Sequence, residues 1–412
     1  MKFEQYYISE QIKKNLTALG FKRPTDIQFK AIPSIQKGED VLAIAQTGTG
    51  KTAAFAIPIV DRVHAEKSSK RSPGIRCIVM VPTRELAQQI GEVFFKLSKN
   101  TKAKAFALFG GVEQDAQITK LQDGIDILVA TPGRMFDLIS QGHLRMTQVD
   151  TLVLDEADHM LALGFIRDIR AVKKLLPQRH QTLFFSATIN KEIKKLAFSQ
   201  VKSTAIRIQI SPEDKVSKKI THFVTFVEMD DKRFLLEKFV REHADSRIII
   251  FVRTRVRAER VAKAMARVNI PTLSIHGDKE QADRTDVMEK FRAGKCNILI
   301  ATDISARGID VPDVNFVINY DLPDQAENYV HRVGRTGRGV KEGTALSFCS
   351  VEEKPKLEEI QGFLNKEIEV IQVDKESYAP TALEASAEED PLALVLENEA
   401  WLEAKKKKKK RK

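Results

Sequence analysis

Cysteine is scarce: the 412 residues contain three, Cys77, Cys296 and Cys349, far apart and mostly inside apolar runs. That argues against a disulfide framework or a cysteine-held zinc site and marks all three as ordinary buried thiols. Also missing is any apolar run near the roughly 18 residues that cross a bilayer. The opening "MKFEQYYISE" lacks the apolar core of a secretory signal. A membrane or secreted protein is therefore not expected, and the expected location is the cytoplasm. What is present is a chain with 42% hydrophobic and 30% charged residues, globular in composition and long enough for two domains.

The net charge is +11, and its distribution matters more than its size. The terminal "KKKKKKRK" supplies eight positive charges and residues 383 to 404 supply seven negative ones, so the tail holds only +1 and residues 1 to 382 the other +10. A basic body is compatible with a polyanionic partner.

Short apolar runs that end in a small polar cluster recur along the chain. "VLAIA", "CIVMVPT", "DILVATP", "TLVLDEA" and "TLFFSAT" occupy the first half, "IIIFVRT", "NILIATD" and "VNFVINYD" the second. Continuous apolar runs suit parallel strands buried on both faces. Between them lie helical patterns; in "RELAQQIGEVFFKLSKN", Leu86, Ile90, Phe94 and Leu97 share one side. The alternation implies an α/β fold with an open parallel sheet, and it occurs twice. The expected domains are 1–210 and 220–373, joined by a linker at 211–219 around "SPEDKVSKK", with an acidic then lysine-rich tail at 374–412 that reads as mostly disordered. Within that tail "PLALVLENEAWLEA" fits a short helix capped by Asp390 with Pro391 in its first turn. Sheets of this type bind ligands beyond the carboxyl ends of their strands, so the polar clusters that end the runs should converge.

The stretch "AIAQTGTGKT" (43 to 52) has the composition of a phosphate-binding loop. Gly48 and Gly50 let backbone N–H groups turn toward phosphate oxygens, Lys51 brings a positive charge to the β and γ phosphates, and the Thr52 hydroxyl can ligate magnesium. Gln46, Thr47 and Thr49 fill the other loop positions, and Ala45 stands where the first glycine is usual. Alanine there requires only that this residue avoid a left-handed conformation. In "TLVLDEADHM" three carboxylates, Asp155, Glu156 and Asp158, follow a buried strand directly. Asp155 is the candidate for holding Mg²⁺ through its water shell, Glu156 for orienting the attacking water beside it, and Asp158 for tethering neighbouring loops. A divalent ion makes that much clustered charge tolerable.

Asp155, Glu156, Ala157 and Asp158 spell D-E-A-D, and residues 3 to about 373 resemble the DEAD-box RNA helicases through about ten ordered motifs. The resemblance implies two tandem RecA-like domains that close over ATP and single-stranded RNA. It assigns Gln28 and Thr25 of "GFKRPTDIQ", with Phe3 upstream, to adenine; Thr25 would also cap the following helix. Pro82, Thr83 and Arg84, Gly111 of "GG", and Thr131 and Arg134 of "TPGR" are implied to grip the RNA backbone, and Ser186 and Thr188 of "SAT" to couple hydrolysis to lobe movement through Asp158. In the second half "IIIFVRTR", "HGDKEQADR" and "ATDISARGID" are similar to the remaining RNA and ribose motifs, with Thr302 for a phosphate and Asp310 for the ATP ribose; Arg253 is open to a solvated strand end instead. "HRVGRTGR" implies that Arg335 and Arg338 act as arginine fingers on the γ phosphate and that His331 links the ATP site to the D-E-A-D acids.

The resemblance thus implies a monomeric, RNA-stimulated ATPase that separates duplexes locally and non-processively. An ATP-gated RNA clamp would use the same site, and a DNA translocase is a weaker alternative. The lysine run is open to three readings: added RNA affinity, an import signal or a solubilising tail.

Overall fold

The computed structural model describes residues 2–46, 48–69, 72, 74–210, 216–306, 311, 313–337 and 341–378. Of the expected site residues, Thr47, Asp310 and Arg338 lie outside the described residues, as do 211–215 of the linker and the tail from 379 onward, including its expected short helix.

The first sheet contains β1 (Val41–Ala45), β2 (Cys77–Met80), β3 (Ala105–Leu108), β4 (Ile127–Ala130), β5 (Thr151–Leu154), β6 (Gln181–Ser186) and β7 (Ile206–Ile210), in the order β3-β4-β2-β5-β6-β1-β7. The second contains β8 (Ile220–Phe226), β9 (Ile248–Phe251), β10 (Leu273–Ile275), β11 (Ile298–Ala301), β12 (Phe316–Asn319), β13 (Gly343–Cys349) and β14 (Glu369–Val370), ordered β10-β11-β9-β12-β13-β8-β14. Every neighbouring pair is parallel. The second order is the first with seven added to each strand number, so the chain builds one RecA-like topology twice.

The apolar runs are continuous because both faces of each sheet are covered. Along β1, Val41, Ala43 and Ala45 pack into one core and Leu42 and Ile44 into the other. Along β9, Ile248 and Ile250 face one core, Ile249 and Phe251 the opposite one. Side chains alternate across a strand, so an all-apolar run is what two buried faces require.

Helices close both faces. The helix Arg84–Leu97 buries the expected Leu86, Ile90, Phe94 and Leu97, and the Thr83 hydroxyl caps it by accepting from the Leu86 N–H at 3.3 Å. Within this helix Gly91 allows close approach to β3, since a Cβ there would stand 2.8 Å from the Ala107 Cβ.

The runs read from the sequence match eight strands, and six others carry no such run. Four of those six, β3, β7, β10 and β14, are sheet edges. β7 and β14 expose several side chains, and every residue of β3 except Leu108 is partly exposed. The interior strands β8 and β13 mix threonine, serine and histidine into their apolar residues. After β5 the chain forms only the short helix Ala157–Ala162 before it turns at Gly164, whose φ is +83°.

Candidate active site

The order β5-β6-β1 brings three polar clusters together at the carboxyl edge of the first sheet. The phosphate loop leaves β1, the "SAT" residues leave β6, and the acids leave β5.

The phosphate loop ends in the helix Lys51–Glu66. Gly48 and Gly50 adopt φ of +79° and +92°, which glycine tolerates and other residues resist. Gly50 is constrained twice, because a Cβ on it would collide with the Gln28 side-chain amide. Lys51 is buried, and its ammonium makes no hydrogen bond. A buried, unpartnered cation at a helix N-terminus is a receptor for anionic oxygens. Thr49 bonds the Gln46 carbonyl at 2.8 Å, which closes the loop, and Ala45 is simply the last residue of β1.

Gln28 sits against this loop. Its Oε1 accepts from the Thr25 N–H at 3.0 Å and its Nε2 donates to the Gly50 carbonyl at 3.1 Å. Thr25 caps the helix Asp26–Gln36 in a reciprocal box with Gln28, so the expected cap is present. One lone pair and one N–H of the Gln28 amide remain for a ligand. Phe3 departs from the adenine assignment: its ring is 3% exposed and packs against Tyr6 and edge-on against Phe21. Its ring is engaged within the core and offers no open face to a base.

Asp155 and Glu156 are both buried. Burial pushes the Asp155 carboxyl up to about 6, against the pull of Lys51, and the neighbouring Glu156 charge adds to the rise. At Glu156 burial acts in the same direction, but the His159 hydrogen bond and the charges of His159, His331 and Arg335 outweigh it and hold this carboxyl well below the usual range. Glu156 has φ of +51°, an uncommon conformation for a residue with a side chain and a mark of local backbone strain. His159, which the sequence reading passed over, brings Nδ1 within 3.4 Å of Glu156 Oε2. Its signal was the three-residue spacing from Glu156 along a helix start.

Asp158 ties β5 to β6. Its Oδ2 accepts from the Ala187 N–H at 3.2 Å and from the Thr188 N–H and hydroxyl at 2.9 Å each. The Ser186 hydroxyl turns instead to the Thr188 carbonyl at 2.8 Å, so it shapes the turn without touching Asp158.

Across the seam, His331 of the helix Ala326–Val333 brings Nε2 within 3.8 Å of Asp158 Oδ2. Arg335 is buried, donates from Nε to the His331 carbonyl at 3.0 Å, and adds its charge to the field at Glu156. Arg332, between them, is a structural clamp that the motif reading missed. It is 1% exposed, pairs with Asp303, and donates to the Asn319 side chain at 3.2 Å and the Asp321 carbonyl at 2.6 Å.

The expected RNA residues of the first lobe also cluster. Arg84 lies against Gly111, where a Cβ would collide with its guanidinium, and Gly111 has φ of +79°. Arg134 donates to the Gln117 side chain at 2.7 Å and to the Val112 carbonyl at 3.1 Å. Both arginines therefore converge on the loop 110–112. Thr131 stands at the N-cap of the helix Pro132–Ser140 without a side-chain cap bond, leaving N–H groups at its start, and Pro82 precedes Thr83, whose hydroxyl does cap its helix. Thr302 is less open than expected: it is 7% exposed, with its hydroxyl 3.3 Å from that of Ser305. Arg253 is partly exposed just past β9, and its guanidinium pairs with the buried Glu353 at 2.6 Å.

A second contact across the seam lies in residues the motifs contained but the reading did not single out. Arg284 meets Glu85 at 2.6 Å with both side chains 9% exposed, and Arg84 donates to Gln281 at 3.3 Å. Beside them opens a cleft of about 520 Å³ whose apolar lining includes Phe95, Phe106 and Met288, from both lobes.

Fold and site together define a two-lobed, phosphate-loop nucleotide-hydrolysing enzyme whose site is completed from the second lobe. Residues 25–196 match the DEAD/DEAH box helicase family and residues 231–340 the helicase conserved C-terminal domain. The chain is 38% identical over 386 residues to the ATP-dependent RNA helicase CshA of Listeria monocytogenes, spanning 94% of this chain and 72% of that protein. It belongs to the DEAD-box helicases, RNA-dependent ATPases of the bacterial type. Among solved structures it is similar to S. cerevisiae Dbp5 bound to RNA and ADP BeF3, at 28% identity, a TM-score of 0.83 and coverage of 93% of this chain and 99% of that one. Against a Dbp5 variant bound to a Gle1 variant and IP6 the TM-score is 0.71, at 30% identity and coverage of 93% and 98%. With nearly equal coverage, the TM-score is higher against the RNA- and nucleotide-bound form.

Proposed function

We propose that this chain separates RNA duplexes locally and non-processively, with ATP hydrolysis confined to a closed arrangement of its two lobes. The observation that carries this reading is the seam: His331 reaches Asp158, and Arg335 acts on Glu156, while Lys51 waits unpaired on the first lobe. A triphosphate on the loop would meet Lys51 from one lobe and Arg335 from the other, and Arg338 is proposed as a second finger. Neither lobe alone holds the full set.

Magnesium fits the donors present. Magnesium typically takes few protein ligands beside phosphate and water, and the buried Asp155 lies within the field of Lys51, which precedes Thr52 on the phosphate loop. Thr52 and Asp155 would hold it with Glu156 nearby, and the ion would supply charge neutralisation at the phosphates.

RNA is proposed to bind through its backbone along Pro82, Thr83, Arg84, Gly111, Thr131 and Arg134, continuing to Thr302, with little sequence preference. Binding across both lobes favours closure and thereby hydrolysis. Gln28, Thr25 and the loop residues 45–52 are proposed to hold the nucleotide, with Asp310 at its ribose and Ser186, Thr188 and Asp158 as the coupling group. Domain limits at 210 and 220, a monomeric state and a cytoplasmic site of action belong to the same proposal.

Arg335→Ala tests it. ATP affinity should stay within about twofold while RNA-stimulated turnover falls by roughly 10³-fold, the scale of an arginine finger. Equal loss of binding and turnover would contradict a role specific to the closed state.

A further inference from the structure

The helices Arg84–Leu97 and Gln281–Arg292 touch through their first turns, where Glu85 meets Arg284 and Arg84 meets Gln281. Beyond that contact both continue as walls of the cleft of about 520 Å³, with Gln88, Glu92 and Phe95 on one side and Thr285, Met288 and Arg292 on the other. Between the walls lies β3, an edge of the first sheet, whose Ala105, Phe106 and Ala107 line the cleft and stay partly exposed. Phe95 is 73% exposed, although Gln88 and Glu92 beside it are polar. None of the residues assigned above to nucleotide or RNA lines this cleft. A sheet edge that shows apolar residues and no charge of its own is normally covered, and an exposed phenylalanine next to it enlarges the apolar patch.

The chain itself supplies a cover. Beyond Tyr378 comes an unbroken apolar run, Leu392 to Leu396, followed shortly by Trp401 and Leu402. Such a run gains by leaving water. Tyr378 is 5% exposed in the core cluster that also holds Val261 of the helix Arg255–Arg267. That helix and the cleft wall Gln281–Arg292 both pack against the edge strand β10, so the last described anchor and the cleft flank one strand. The stretch from Tyr378 to Leu392 can span about 45 Å when extended. A lobe of this size is about 40 Å across. The run can therefore reach the cleft from its anchor. Charge agrees, since Glu397 and Glu399 follow the run and the exposed Arg292 lines the cleft.

We propose that this cleft is a docking site for an apolar peptide segment, and that its occupant is the chain's own stretch 392–402. Tethering favours this occupant over a free peptide, because a short tether gives an effective concentration in the millimolar range. Both lobes line the cleft, so the inference rests on the closed arrangement proposed above. A segment held between the two walls in turn favours that arrangement.

Trp401 is the chain's single tryptophan, which makes it a reporter of docking in the unlabelled full chain. With a non-hydrolysable ATP analogue and RNA present, its emission should be blue-shifted and its quenching by acrylamide several-fold weaker than in the denatured chain. Phe95→Asp, on the exposed first-lobe wall, and Thr285→Arg, which fills the cleft from the second, should each restore the quenching of the denatured chain. The distance between the lobes, followed in parallel by energy transfer, separates this inference from the closed arrangement on which it rests. Trp401 fully quenched while the lobes are together would overturn docking and leave closure standing. Protection with the lobes apart, or indifferent to both substitutions, would place the segment elsewhere and overturn the proposal. Protection that grows with protein concentration would also overturn it, by giving the cleft to a second copy of the chain.

Discussion

Asp155 and Glu156 are adjacent in the chain and equally buried, yet their carboxyls move in opposite directions, up to about 6 for one and well below the usual range for the other. The difference lies in what faces them. Asp155 has burial opposed mainly by Lys51, whereas Glu156 has a histidine at hydrogen-bond distance and two further cationic groups supplied by the second lobe. A carboxylate held so firmly in its charged form is a poor acceptor of a proton and a good acceptor of a hydrogen bond, so orienting a water suits Glu156 better than deprotonating one outright. Glu156→Gln should keep ATP and RNA bound together while turnover drops by at least about 10²-fold, measured by RNA retention beside phosphate release. Turnover near the unmodified rate would remove Glu156 from the chemistry. At this scale the sequence was informative about position, since it placed Asp155 directly after β5 and Lys51 at the start of the helix that follows β1. It was uninformative about Phe3, Arg253 and Thr302, where burial or an ion pair with a distant residue decides what the side chain can touch.

Between elements, the pairing of Glu85 with Arg284 joins the helix Arg84–Leu97 of the first lobe to the helix Gln281–Arg292 of the second. Both partners are nearly buried, so removing one leaves the other charge uncompensated, an expense of a few kcal/mol that falls on the closed arrangement. Glu85→Arg and Arg284→Glu should each lower RNA-stimulated hydrolysis at least about tenfold, and the double exchange should recover most of it. A double variant no better than either single one would show that the pair does not latch the lobes. A second element-scale outcome concerns β8. Burial, aided by the Lys366 charge, pushes His222 down to about 4, and Nδ1 lies 3.0 Å from the Tyr329 hydroxyl. A histidine kept neutral contributes stability that is intact above its unfolded value near 6.5 and is lost as pH falls through about 4. His222→Asn should therefore flatten the decline of second-lobe melting temperature between those values, by about 1 to 2 kcal/mol after allowing for partial exposure. Parallel melting curves against pH for both proteins would contradict this. The same strand explains why the second sheet was only partly legible: β8 places histidine and threonine in its sheet, and the edges β10 and β14 are three and two residues long. Strands with both faces covered show themselves as apolar runs, and edges do not.

In the whole molecule, the repeated strand order makes two similar lobes, but only the first carries a phosphate loop and the D-E-A-D acids, and only the second carries "HRVGRTGR". The duplication was legible because the alternation of runs and helices occurs twice. The seam was not, since sequence spacing says nothing about which face of one lobe meets the other; Glu85, Gln281 and Arg284 became visible only as contacts. The central claim is that hydrolysis belongs to the closed arrangement and that ATP and RNA stabilise it jointly. The most direct measurement is the distance between the lobes, followed by single-molecule energy transfer between one dye on each lobe, with ATP, RNA, both or neither. The account predicts a short-distance population that dominates only when both are present and that disappears in Arg284→Glu. A short distance with neither ligand, or an unchanged distance with both, would contradict it.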